Sequence, residues 1–210
     1  ILMVTATSFM FYSLQKFDLV DIYVVFFTAP LIVSLLSAYF LKDILSTKGI
    51  LLMLLSFGSI VYSLGPSMRI FSLDLIFPIV PPICWALYQF FTKVVSGDND
   101  PFAAIFYTSI LGAIIFSIFI FFNWVPLEKN IFWLYLVILG VAGFVSHSLI
   151  IYAIQLSNLS FVTNFQYSQL VWSTIINFLI FGVPFDYNKI VGVIGITVSY
   201  THLTLPTTTI

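Results

Sequence analysis

The chain has 210 residues, 61% of them hydrophobic and 7% charged, with a mean hydropathy of +1.14 and a net charge of −1. A soluble domain carries roughly 25% charged residues, so this surface cannot face water, and the near-balance of charge argues against nucleic acid or a strongly charged partner. Cys84 is the single cysteine, which excludes an internal disulfide and a cysteine metal cluster.

The class is an all-α polytopic membrane protein. Its first fourteen residues are already apolar, with no initiator Met and no basic stretch leading to a small-residue cleavage site. They do not form a signal peptide, and the chain is expected to begin inside a helix as an N-terminally truncated fragment.

Charges then punctuate the sequence, because a bare charge at mid-bilayer costs roughly 2.5–3.5 kcal/mol. Asp21 and Lys42 enclose 20 uncharged residues, Lys48 and Arg69 another 20, Asp74 and Lys93 a further 18. About 20 residues span the hydrocarbon core. Pro101–Leu127 is a 27-residue gap and Asn130–Phe185 one of 56, enough for two spans. Helices are therefore predicted near 1–14, 19–41, 49–65, 75–96, 102–123, 131–155, 159–182 and 189–200.

Local signals agree with these boundaries. Gly65-Pro66 and Gly97 end helices, and Asp100-Pro101 opens one with Pro where its missing N–H does no harm. Trp124 and Trp133 flank a loop as interface aromatics do. Pro30, Pro78, Pro81 and Pro82 fall inside predicted spans and should kink or loosen them. Basic residues divide four to three between the two sides, which leaves orientation open.

The chain repeats itself at an offset of 140. Ser8, Tyr12 and Gln15 fall on Ser148, Tyr152 and Gln155; Leu19 meets Leu159, and Phe27-Thr28 meets Tyr167-Ser168. A second unit of five helices, 70–198, then follows the last three helices of a first unit, 1–66, with about 66 residues expected upstream. An odd number of helices per unit places tandem units in opposite orientations. That is the inverted-repeat architecture of secondary transporters, with a solute site near the midplane where the units meet.

Several segments resemble the EamA family of the drug/metabolite transporter superfamily. They are TAPLIVSLLSAYFLKDILS, with Asp43 in a turn where the family has Glu, IYAIQLSNLS, and FGVPFDYNKIVGVIG, where Val183 stands in place of the usual Glu. PFAAIFYTSILGA and FQYSQLVWSTIINFLIFG further resemble the branch that includes riboflavin and S-adenosylmethionine uptake carriers. The resemblance implies ten helices in two inverted five-helix halves, eight of them present, and transport across the membrane. The tail 199–210 departs from the pattern: SYTHLTLPTT is similar to translated sequencing adaptor, the alternative being a genuine polar tail, and His202 is set aside.

Chemistry is expected on three sets of residues. In the seventh predicted helix Gln166, Gln169, Ser173 and Asn177 are spaced 3, 4 and 4, forming one polar stripe. It reads either as a wall of a solute cavity or as interhelical hydrogen bonding worth roughly 0.6 kcal/mol per contact. Tyr167 and Trp172 lie off that stripe and either stack a planar ligand or fill core. In the fourth helix Trp85, Tyr88, Gln89 and Thr92 share a face that reads either as packing or as cavity wall; Tyr23 and Tyr107 are weaker candidates. His147, the one histidine inside a span, is either a proton or anion site or a neutral, hydrogen-bonded imidazole. Asp21 is either a first-turn charge at the positive helix end or a coupling-ion site. Asn158-Leu-Ser160 matches a glycosylation pattern but sits too tight against the membrane to serve as one.

The expectation is a secondary carrier for a small, partly polar, planar metabolite (a vitamin, nucleoside-like or amino-acid-derived), coupled to H+ or Na+. It would lie in the bacterial inner membrane, with a homodimer as one state of assembly. An exporter, and a non-transporting membrane protein whose polar residues only join helices, are the alternatives. One histidine without a carboxylate beside it does not make an enzyme, and no cofactor or metal is expected.

Overall fold

The computed structural model describes residues 1–17, 19–42, 47–64, 74, 76–95, 101–122, 124–126, 129–182, 184 and 187–204, and its described residues contain helices and no strand. In chain order the helices are α1 (Leu2–Ser13), α2 (Leu19–Phe26), α3 (Ala29–Phe40), α4 (Thr47–Leu64) and α5 (Ile76–Val95). They continue with α6 (Pro101–Phe122), α7 (Ile131–Leu156), α8 (Leu159–Asn164), α9 (Gln169–Phe181) and α10 (Tyr187–Thr204). Two predicted spans are each broken into two pieces, α2–α3 and α8–α9, so the described residues make eight membrane helices. The last helix runs to Thr204, past Val198 where the apolar pattern was expected to stop.

The composite Ile22–Phe40, α6 and α7 are long and apolar enough to cross a bilayer. Residues 131–146 of α7 are exposed throughout, and most of α6 is exposed too. With lipid on that side these apolar side chains need no protein cover.

Both breaks have identifiable causes. Pro30, fully buried, has no N–H to bond the Phe26 carbonyl, and the Thr28 N–H instead bonds the Val25 carbonyl at 3.0 Å. The Thr28 hydroxyl donates to the same carbonyl at 2.7 Å. Between α8 and α9, Phe165–Ser168 form a 3-10 turn, and the Ser168 hydroxyl donates to Phe165 at 2.7 Å. Thr28 and Ser168 are 140 positions apart, as are the carbonyls they bond, and the starts of α2 and α8, α3 and α9, and α4 and α10 differ by the same interval.

The helices pack around two cores. Phe27, Met53, Ile60, Tyr167 and Ile196 make one; Val33, Ala86, Phe90, Ile154 and Leu159 make the other. α5 is the hub, touching α1, α2, α3, α7 and α8. Its prolines 78, 81 and 82 are all buried. α4 and α10 lie so close that a Cβ on Gly195 would collide with the Ser59 hydroxyl and come within 3.0 Å of the Ser59 Cβ. Small residues permit such approaches between membrane helices.

Two lysines tie the ends together. Lys93, in the last turn of α5, reaches the C-terminus of α7 and donates to the carbonyls of Ile154 at 2.7 Å, Gln155 at 3.4 Å and Ser157 at 2.8 Å. A cation there satisfies orphan carbonyls and complements the negative helix end. Lys16, in the turn after α1, pairs with Asp74 at 2.6 Å and sits over the Tyr12 and Phe77 rings at 5.5 and 5.1 Å. The hydrogen bond to Asp74 holds the Lys16 ammonium above its ordinary range.

Candidate functional site

The end of α2, the middle of α5, the last turns of α7 and the α8–α9 break surround a cavity of about 670 Å³. Four of the sequence-predicted residues line it: Trp85, Gln166, Gln169 and Trp172. Phe26, Phe27, Phe161 and Phe165 supply further aromatic surface, and among the described residues no charged side chain lines the space.

The orientation of Gln166 follows from its neighbours. Trp85 Nε1 can only donate, and it donates to Gln166 Oε1 at 3.4 Å. Gln166 Nε2 is thereby turned toward Gln89 and donates to its Oε1 at 2.9 Å. That leaves Gln89 Nε2 buried and without a hydrogen-bond partner among the described residues. Trp85 and Gln89 are one turn apart on α5, so a single helix face grips both ends of one amide.

Trp85 is also the link to a second cluster. Its ring lies 5.8 Å from Tyr88, nearly parallel, and 5.8 Å from His147; Tyr88 and His147 stack at 5.4 Å. The Tyr88 hydroxyl is 2.9 Å from His147 Nε2. His147 faces a smaller cavity of about 290 Å³, whose polar lining includes Thr7, Thr108 and Ser109 from α1 and α6.

The remaining expectations separate. Tyr167 is fully buried in the first core, on the packing side of the two readings given for it, with its ring 6.1 Å from Phe27. Ser173 is exposed and outside the cavity lining, one turn beyond Gln169 on α9. The side chains of Asn177 and Asp21 lie outside the described residues. Thr92 turns its hydroxyl onto the Tyr88 carbonyl at 2.7 Å. Tyr23 packs against the first core and Tyr107 is exposed.

Sequence reasoning passed over the Lys93 cap on α7, which joins positions 61 to 64 residues apart. Phe26 stands 140 positions before Gln166, its counterpart in the repeat. In the fold Phe26 lines the same cavity and packs on Trp85 at 6.3 Å.

Comparison with known proteins is consistent with this geometry. Residues 73–205, more than half of the chain, match the EamA-like transporter family, and the chain belongs to that family. Its members are drug/metabolite transporters, so the chain is an integral membrane protein of a family that moves small molecules. No curated protein matches it. A solved chain described as "Crystal structure of protein" is similar in fold, with a TM-score of 0.81 at 16% identity, covering 96% of this chain and 74% of its own length.

Proposed function

We propose that this member of the EamA-like transporter family is a secondary carrier whose solute occupies the 670 Å³ cavity beside Gln166. The observation that carries the reading is the held amide. Gln166 is fixed at both ends by Trp85 and Gln89, and it stands in a cavity within the roughly 300–1,000 Å³ range of small-molecule sites. Trp85 and Trp172 offer flat faces, Gln166 and Gln169 offer donors and acceptors, and nothing charged among the described residues lines the space. The solute that fits is small, uncharged, planar and partly polar. Likeness to riboflavin and S-adenosylmethionine uptake carriers supports the same kind of solute, and riboflavin, being uncharged, fits the lining better.

Transport would proceed by rocking of two inverted units, 1–66 and 70–198. The shared interval of 140 between helix starts and between hydroxyl-bonded breaks supports that division. We assign the carrier to a bacterial inner membrane, with homodimers as one assembly.

The test is uptake of labelled riboflavin or adenosine into vesicles containing the protein, with Gln169→Ala as the variant. Saturable uptake by the parent, weakened at least several-fold in the variant at equal expression, supports the site. Equal uptake by both assigns the glutamines to helix contacts alone.

A further inference from the structure

We propose that His147 is the proton-binding site of the transport cycle, and that its protonation is passed to the solute cavity through Tyr88 and Trp85. The proposal rests on the carrier reading and adds the coupling ion and the group that binds it.

An ionisable side chain within a membrane helix is costly to keep without a task, and imidazole is the side chain whose unperturbed titration falls between pH 5 and 8. His147 is half-buried and opens on a cavity with hydroxyls from Thr7, Thr108 and Ser109, a lining suited to water. Among the described residues, the titratable group facing it from α5 is Tyr88; α1 and α6 present only those hydroxyls, and α7 itself presents none. Lys93 is engaged further along α7, at its C-terminal carbonyls.

The switch operates from the neutral tautomer that carries its hydrogen on Nδ1, in which Nε2 accepts from the Tyr88 hydroxyl. Imidazolium carries hydrogen on both nitrogens, so Nε2 must donate and the Tyr88 oxygen, 2.9 Å away, must accept. The Tyr88 hydroxyl hydrogen then turns to another acceptor, for which the cavity lining offers the Thr108 hydroxyl. One N–H bond forms from the ring lone pair, with the proton taken from water in the smaller cavity. It is returned to water when the cavity opens to the other side, so charge and atoms balance over the cycle. The stacked Trp85 touches both rings and donates to Gln166. A positive charge on His147 also attracts the Trp85 π-face. Protonation therefore changes how firmly Gln166 is held, with no direct contact between proton and solute.

Imidazolium quenches a neighbouring indole, which gives a readout independent of any solute. The whole chain in lipid nanodiscs is titrated from pH 8 to 5 while tryptophan emission is followed, in sodium and then in potassium buffer. A sigmoidal fall is expected that is lost in His147→Gln and in Trp85→Phe, shifted in Tyr88→Phe, and the same in both salts. A transition that persists in His147→Gln, moves to Asp21→Asn, or follows sodium overturns the proposal. If His147→Gln does not fold, the Tyr88→Phe shift decides. In vesicles, riboflavin or adenosine uptake should depend on a pH gradient in the parent and lose that dependence in His147→Gln. A dependence that survives overturns the coupling, whereas no uptake of either by the parent counts against the carrier reading.

Discussion

Phe27 and Tyr167 meet ring to ring at 6.1 Å, both buried, although 140 positions separate them in the chain. Each stands at the break of its own helix, beside a hydroxyl that bonds the carbonyl three residues back. A residue that touches its own counterpart lies where an axis relating two units would pass. Trp85 sits beside this point, in contact with Phe26 and bonded to Gln166, which are counterparts of one another. Phe26 thus offers Trp85 a ring, and Gln166 an amide.

Gln166 and Gln169 should respond differently to truncation. Gln166→Ala strands the Trp85 N–H and the Gln89 carbonyl, each costing about 1–3 kcal/mol when buried without a partner, and should lower both melting temperature and transport. Gln169 is exposed to the cavity, so Gln169→Ala should lower transport with little change in melting. Thermal denaturation in detergent beside vesicle uptake separates the two effects.

Gly195→Leu should force α4 and α10 apart. The added side chain meets Ser59, which is backed by its own bond to the Leu55 carbonyl at 2.8 Å. Overpacking costs about 1–3 kcal/mol. A lower melting temperature for Gly195→Leu, largely restored by pairing it with Ser59→Gly, is the expected pattern; an unchanged melt would refute the contact.

Lys93→Met should free the end of α7. Three carbonyls lose their cation, at a cost of up to about 2 kcal/mol for a partly buried charge at a helix C-terminus. Amide exchange should quicken across 154–160 while the middle of α7 keeps its protection. Faster exchange along the whole helix would mean that Lys93 holds more than the cap.

Lys16 gives a pH dependence of definite sign. Its folded-state value is raised, chiefly by the hydrogen bond to Asp74. The stabilisation is therefore complete below the ordinary lysine range and fades as pH climbs through the raised value. Melting followed upward from pH 8 should show an alkaline loss that is absent from Lys16→Met. Because the pair is exposed, salt should shrink the difference.

Much of the fold was legible because charge is so scarce here. Charges at Asp21, Lys42, Lys48, Asp74 and Lys93 located helix bounds to within about two residues, as the cost of burying a charge requires. The break at Phe27 could be anticipated from Pro30. That at Phe165–Ser168 could not, since no proline or glycine lies near it, and the helical stripe was drawn straight through. Of its members Gln166 and Gln169 reach the cavity and Ser173 does not. The pairings of Tyr88 with His147 and of Lys93 with Ser157 join residues 59 and 64 positions apart. Periodicity within one helix carries no information about which faces of two helices will meet.

The two breaks also divide each helix into unequal lever arms. At a rise of about 1.5 Å per residue, α3 extends about 18 Å beyond its break and α9 about 20 Å, whereas α2 and α8 are about 12 and 9 Å long. Turning a long arm by about 10° at its pivot carries its far end about 3 Å, more than the width of a water molecule, while the short arm holds its place in the core. Both pivots lie against the same pair of touching rings. A rotation at one would therefore reach the other through that aromatic contact.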